Sequence, residues 1–375
     1  MVYGHAQHFS VPWETLIKTF REELANKCFP TTAEYLDAFK AYLSAPRFVT
    51  PEAQELSVLL GCTSAFGTLN SHIARGRKKF VSKDINAALD TMEKYLQDVH
   101  TPLSEFTAFE YKQFAKKYAS VLDAFLDDEE YFDADLPKSC QRRFKEIVFQ
   151  SLSCSLSTSF MSGLVVAGFG DGDMFPSLHE LKVDGGFFDN VRIIETRSVD
   201  MKGDEKVSVD AFAQEDVVDA FMKGYDADYE TFAISTVLHF MELYTSELLD
   251  RHTMYTADEK KVVKRAMEPI LKDSLSGIQD ALREFSADTF SNPVKDMLRA
   301  APKDEIAHVA EALVSLTSLK RRVTPVRETV GGPIDVAVIS KGDGFVWVKR
   351  KHYFDPEFNH QFLKNYFRGM ERPNG

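Results

Sequence analysis

Cysteine is scarce and dispersed in this chain: Cys28, Cys62, Cys140 and Cys154 are the 4 among 375 residues. None forms a C-x-x-C pair, so neither a dense disulfide framework nor a paired-thiolate metal site is encoded, and a reducing, cytoplasmic setting is expected. Long apolar runs are missing as well. No uncharged stretch approaches ~18 apolar residues, so no membrane-spanning segment is expected. The opening Met1-Val-Tyr-Gly-His5 lacks the basic and apolar regions of a signal peptide. Positive charge is in deficit: 45 Lys and Arg stand against 57 Asp and Glu, a formal net charge of −12. That balance disfavours nucleic acid or an anionic membrane surface as partner. The short basic runs Arg77–Lys79 and Lys349–Lys351 read as solvated faces.

Recognisable cofactor and nucleophile motifs are also lacking. There is no G-x-x-x-x-G-K-[ST] loop and no G-x-G-x-x-G fingerprint, and Gly168–Gly172 has no helix signal behind it. His5 and His8 stand three apart without an H-E-x-x-H pattern. Asp171 and Asp173 resemble a fragment of a calcium loop without its terminal Glu. No cofactor and no metal are therefore expected. No G-x-S-x-G elbow surrounds Thr329, Thr63, Ser64 or the serines of Ser151–Ser159, which read as packing surfaces or helix ends. No catalytic residue is assigned.

What is present is a well-stocked core: 44% hydrophobic residues, 27% charged, and 30 phenylalanines. This is a globular composition, with the phenylalanines expected in aromatic packing. Ser10 reads as a helix N-cap, followed by Trp13, Leu16, Ile17, Phe20 and Leu24 on one face. Thr31 and Glu34 suggest a capping box. Further helices are expected near 83–98, 106–127, 141–153, 211–223, 229–250, 258–286 and 304–319. Five strands are expected: Gly163–Asp171, Glu180–Asp184, Val191–Glu195, Ile334–Ile339 and Phe345–Lys349. Asp184-Gly-Gly186 reads as the turn between the second and third, and Ser340–Gly344 as the turn of the last hairpin. The order of helices, three strands, helices and two strands implies an α+β protein.

The hairpin led by Gly331-Gly332, the segment Val165–Asp171 and the opening run into Val11-Pro-Trp-Glu14 carry a resemblance. In that order and spacing they resemble bacterial proteasome-like N-terminal-nucleophile (Ntn) hydrolase family proteins. The resemblance covers about 1–25, 141–200 and 300–352. It implies a four-layered αββα sandwich, here incomplete at its N-terminus and carrying large helical insertions. The implied division is 1–25 as strand end and first helix, 26–140 as a helical insertion, and 141–200 as a helix and three strands. A second insertion follows at 201–300, then a helix and the final hairpin at 301–355 and a tail at 356–375. The implied parent activity is amide-bond hydrolysis, with a protein or peptide substrate and homo-oligomeric assembly. In that family an N-terminal Thr, Ser or Cys supplies nucleophile and base. Here its strand would lie upstream of Met1, and Arg327 and Val330 occupy positions that hold an acid and a serine in active members. The expectation is a chain inactive alone. Either Met1 is an internal methionine of a longer protein, the favoured reading, or the catalytic half has been lost. The rival reading is a non-catalytic structural or regulatory protein using the scaffold for protein contacts. Gly331 and Gly332 are expected to need backbone conformations or close contacts that a side chain would oppose.

Overall fold

The computed structural model describes residues 1–72, 82–99, 101–128, 131–132, 136–201, 207–251, 256–324, 334–351, 354–361 and 364. The chain divides into two compact units, Met1–Lys202 and Gly203–Gly375. Gly331, Gly332, Arg327, Thr329, Val330 and Arg77–Lys79 lie outside the described residues.

In the first unit, β1 (Val2–Gly4) precedes a small hairpin, β2 (Gln7–His8) and β3 (Val11–Pro12). Helices α1 (Trp13–Leu24) and α2 (Thr32–Leu43) follow. Then come α3 (Pro51–His72), α4 (Ser82–Val99), α5 (Tyr111–Lys117), α6 (Ala119–Leu126) and α7 (Lys138–Ser153). The unit ends with β4 (Ser162–Gly168), β5 (Ser177–Phe187) and β6 (Asn190–Asp200). The sheet is antiparallel throughout, in the order β1-β4-β5-β6.

Two cores explain the arrangement. Leu164, Leu181, Val183 and Val191 give the sheet one apolar face, which packs on Trp13 and Leu16 of α1 and Leu36, Phe39 and Leu43 of α2. The register places Tyr3, Gly163, Lys182 and Ile194 together on the opposite face. The larger core gathers α3 to α7 around Phe106, Phe114, Phe144, Leu152 and Phe187. Phe106 and Phe187 stack with centroids 4.2 Å apart. Full burial of each such side chain stabilises by ~1.5–3 kcal/mol.

Several sequence expectations are refined. Ser10 is not an N-cap; with φ 65°, beside Phe9 at φ 47°, it forms the turn between β2 and β3. Thr31 does cap α2, its hydroxyl accepting from the Glu34 N–H at 3.3 Å. The segment 106–127 is two helices broken at Tyr118. Helix α3 has no counterpart among the expected elements. Small residues and apolar residues are spread around it because α4, α6, α7 and β5 all pack against it. Asp184–Gly186 is not a turn; β5 runs through it with a register shift, and the chain reverses at Phe188 and Asp189. Both have positive φ, 50° and 62°, as a type I′ turn requires. Buried Gln54 and Tyr118 fix this turn: the Tyr118 hydroxyl accepts the Phe188 N–H at 2.8 Å and Gln54 accepts the Asp189 N–H at 3.1 Å.

The second unit holds α8 (Asp216–Lys223), α9 (Ala227–Arg251), α10 (Ala257–Ser286), a π-turn at Ala287–Ser291, α11 (Asn292–Ala300) and α12 (Lys303–Val323). The hairpin β7 (Val336–Ser340) and β8 (Gly344–Lys349) follows. Among the described residues, β7 and β8 pair with each other as a two-stranded sheet. The expected final hairpin is present. The described residues show a mixed α+β protein with small antiparallel sheets. None of their helices is long and apolar enough to cross a membrane.

Candidate functional site

Two cavities in the first unit are bordered by one shared residue, Thr158. The larger, about 400 Å³, lies among α3, α4, the end of α7 and the segment 156–158. Its α3 wall is made of the small side chains Gly61, Ser64, Ala65 and Thr68, with His72 at the end of the helix. Those positions fall on one side of a helix that turns ~100° per residue. Gly61 also lets α7 approach, since a Cβ there would lie 2.9 Å from the Leu152 methyls. The structure thus brings Ser64, Ser151, Ser157 and Thr158 around one cavity, although from sequence they read only as packing positions. Thr63 faces elsewhere and donates to the Leu59 carbonyl at 3.0 Å.

The smaller cavity, about 80 Å³, is bordered by His5, His8, Ser57, Thr158 and Asp184, among others. His5 is exposed, with Nδ1 3.0 Å from the Gln7 carbonyl. His8 is only 3% exposed, stacks on Trp13 at 5.3 Å, and its Nε2 has no hydrogen-bond partner. Burial pushes its pKa down to about 4, opposed by a hydrogen bond with the Leu43 backbone. The ring is therefore neutral at pH 7. It is presented by the Phe9–Ser10 turn, and Trp13 anchors that hairpin by donating to Ser162 Oγ at 2.9 Å. Adjacent non-glycine residues at positive φ are costly, and such outliers cluster at functional sites.

Behind Thr158 lies a buried ion pair, Arg192 with Asp184. Arg192 is 0% exposed and spends its donors on the Leu152, Cys154 and Leu156 carbonyls at 2.6, 3.0 and 2.8 Å and on Asp184 at 2.7 Å. It thereby satisfies the carbonyls at the end of α7. Asp184 also accepts the Thr158 backbone N–H at 2.6 Å and the Thr158 hydroxyl. Gly185, at φ +72°, approaches Ser57 so closely that a Cβ would sit 2.5 Å from its hydroxyl. Arg192 and Asp184 were not singled out from sequence. The available signal was a lone arginine inside the apolar run Val191–Ile194.

Chemically, three of the hydroxyls around the larger cavity are engaged. Thr68 donates to the Ser64 carbonyl at 3.2 Å and Thr158 to Asp184, while Ser64 Oγ accepts the Ser159 N–H at 3.4 Å. Cys62, on α3, has its thiol pushed up to about 12 by burial, which leaves it unreactive. His72 borders the larger cavity and His5 and His8 the smaller. The site therefore offers shape and hydrogen bonding.

Asp173 serves the structure: its carboxylate accepts the Gly170 N–H at 2.8 Å and the Thr32 N–H at 3.1 Å, tying the 168–173 loop to the start of α2. Among the described residues, no group of three or more His, Cys, Asp or Glu is placed to hold a metal ion. Compared with protein-family models, curated proteins and solved structures, the chain has no match.

Proposed function

We propose that this chain is a structural or regulatory protein on a proteasome-like Ntn-hydrolase scaffold, assembling through its second unit and hydrolysing no peptide by itself. Helix α9 carries the reading. Tyr229, Phe232, Val237, Phe240, Leu243, Tyr244 and Leu248 are between 38% and 67% exposed. At ~100° per residue all seven fall on one half of the helix surface. Buried Leu249 and half-buried Leu238 lie on the opposite side. A helix apolar on both sides is stable in water when both are covered. The seven side chains expose roughly 700–1,000 Å² together, about one partner's share of a standard interface.

A second copy of the chain suits the stripe. Asp228, Glu230 and Asp250 border the stripe on α9 and Glu247 lies within it, which makes this face acidic. The hairpin exposes Phe345, Val346, Trp347 and Val348 beside Lys349, Arg350 and Lys351. Apolar patches of opposite rim charge on one chain favour head-to-tail contact between copies.

The αββα relationship is supported by β1 passing through Val11-Pro12-Trp13 into a helix that packs on the sheet. Amide-bond hydrolysis of a protein or peptide is the parent activity of that class. Its absence from the chain alone is supported by the engaged hydroxyls around Thr158 and the unreactive Cys62 thiol. The four free cysteines suit a cytoplasmic setting. Sedimentation equilibrium tests the assembly, with Phe240→Asp as the variant, alongside turnover of unstructured fluorogenic peptides. The expected result is an assembled wild-type chain, a monomeric variant of unchanged helicity, and no turnover by either. A wild-type chain monomeric at high concentration overturns the assembly, and robust turnover overturns the non-catalytic reading.

A further inference from the structure

We propose that the first unit recognises the aliphatic chain of a single-chain amphiphile, taking the chain into the larger cavity and leaving its head group in solvent at the open end. The inference is independent of assembly through α9. A volume of about 400 Å³ lies in the range of ligand pockets. An apolar space of that size is costly to leave empty, because its walls forgo the contacts a filled core would make. The core around it is otherwise filled by rings. Ala65 belongs to the same cluster as Phe106, Phe114 and Phe144, yet meets the cavity with a single methyl. Gly61, one turn earlier on α3, meets it with no side chain at all.

The burial of the wall residues gives the cavity a direction. Ala65, Met92, Leu96 and Leu152 are each no more than 9% exposed and form an apolar floor. Thr68, His72, Thr91 and Tyr95 border the same space and are exposed, so they mark its open end. A ligand that matches this gradient is apolar at one end and hydrated at the other. Met92 is unbranched and adaptable, which suits a flexible chain against the floor. At the rim, the Thr68 and Thr91 hydroxyls donate back to their own helices, to the Ser64 and Ala87 carbonyls at 3.2 and 2.9 Å. The chain therefore carries the recognition. A head group at this rim keeps its hydration, so a hydroxyl and a carboxylate are both accommodated.

The test is titration calorimetry of the full chain with 1-hexanol, 1-octanol and 1-decanol. Affinity should rise about 4-fold for each added methylene, the factor that burial of one CH₂ corresponds to. Decanoate at pH 8 should bind no more than ~10-fold more weakly than 1-decanol, since its charge stays in water. Two variants locate the site. Ala65→Phe fills the floor and should weaken 1-decanol binding at least ~10-fold, as loss of most of the buried apolar contact requires. Thr91→Trp should do the same by closing the open end from an exposed position on α4, without a change in the core. Phe240→Asp on α9 should leave binding unchanged. Affinity that does not depend on chain length, or 1-decanol binding unchanged in Thr91→Trp, overturns the proposal. Decanoate binding far more than ~10-fold weaker than 1-decanol overturns it too, because the head would then be buried.

Discussion

The two units use the same side chains in opposite ways. In the first, phenylalanines meet each other: Phe106 on Phe187, Phe114 on Phe149, and Phe125 on Phe144, the last with centroids 5.9 Å apart. In the second, Phe221, Phe232, Phe240, Phe285 and Phe345 are each at least 45% exposed. Among the described residues, the second unit's buried apolar side chains are Val217, Val218, Leu249, Leu298, Ala307 and Val336. Composition alone cannot separate these regimes, because the hydrophobic effect rewards burial and not presence. The first unit closes its own core; the second carries apolar faces that stay exposed, which is what the proposed assembly would cover.

That contrast ranks the effects of mutation. The largest loss should follow Arg192→Ala, which leaves Asp184 charged, buried and unpaired, and strands the carbonyls at the end of α7. Breaking such a pair costs ~3–5 kcal/mol, read as a lower urea midpoint for the first unit. Phe187→Ala should come close behind, at ~3–5 kcal/mol, because a fully buried ring stacked on Phe106 is replaced by a cavity.

His8 comes next and acts through pH. Its folded-state pKa of about 4 lies below the ordinary 6.5, so the unfolded chain takes the proton first as pH falls. The contribution is intact above pH 6.5, is lost between there and about pH 4, and is level below. The whole span amounts to about 3 kcal/mol. Urea midpoints measured from pH 7.5 to 4 should fall accordingly, and His8→Gln should flatten that part of the curve. Thr31→Ala removes one cap from α2 and should cost about 1 kcal/mol. Phe240→Ser should change the stability of an isolated monomer by no more than ~0.5 kcal/mol, since the ring is already in water. A large monomer loss there would erase the contrast between the units.

The sequence was legible where periodicity or turn chemistry was local. Trp13 and Leu16 marked α1, Thr31 marked the start of α2, and the apolar run at 164–167 marked β4. It was opaque where tertiary contacts decide. Helix α3 shows no single stripe because neighbours pack around it, and the Asp184-Gly185-Gly186 segment was a turn by composition but a bulge by pairing. The site was the least legible part. Thr158, His8 and Arg192 are separated by up to 184 positions and meet only through the sheet register and the end of α7.

Hydrogen–deuterium exchange measured across a range of protein concentrations tests the central contrast most directly. If the second unit closes its apolar faces by assembly, amides of α9 and β8 slow as concentration rises, while those of α7 and β5 keep one rate throughout. Exchange in α9 and β8 that is independent of concentration would contradict the account.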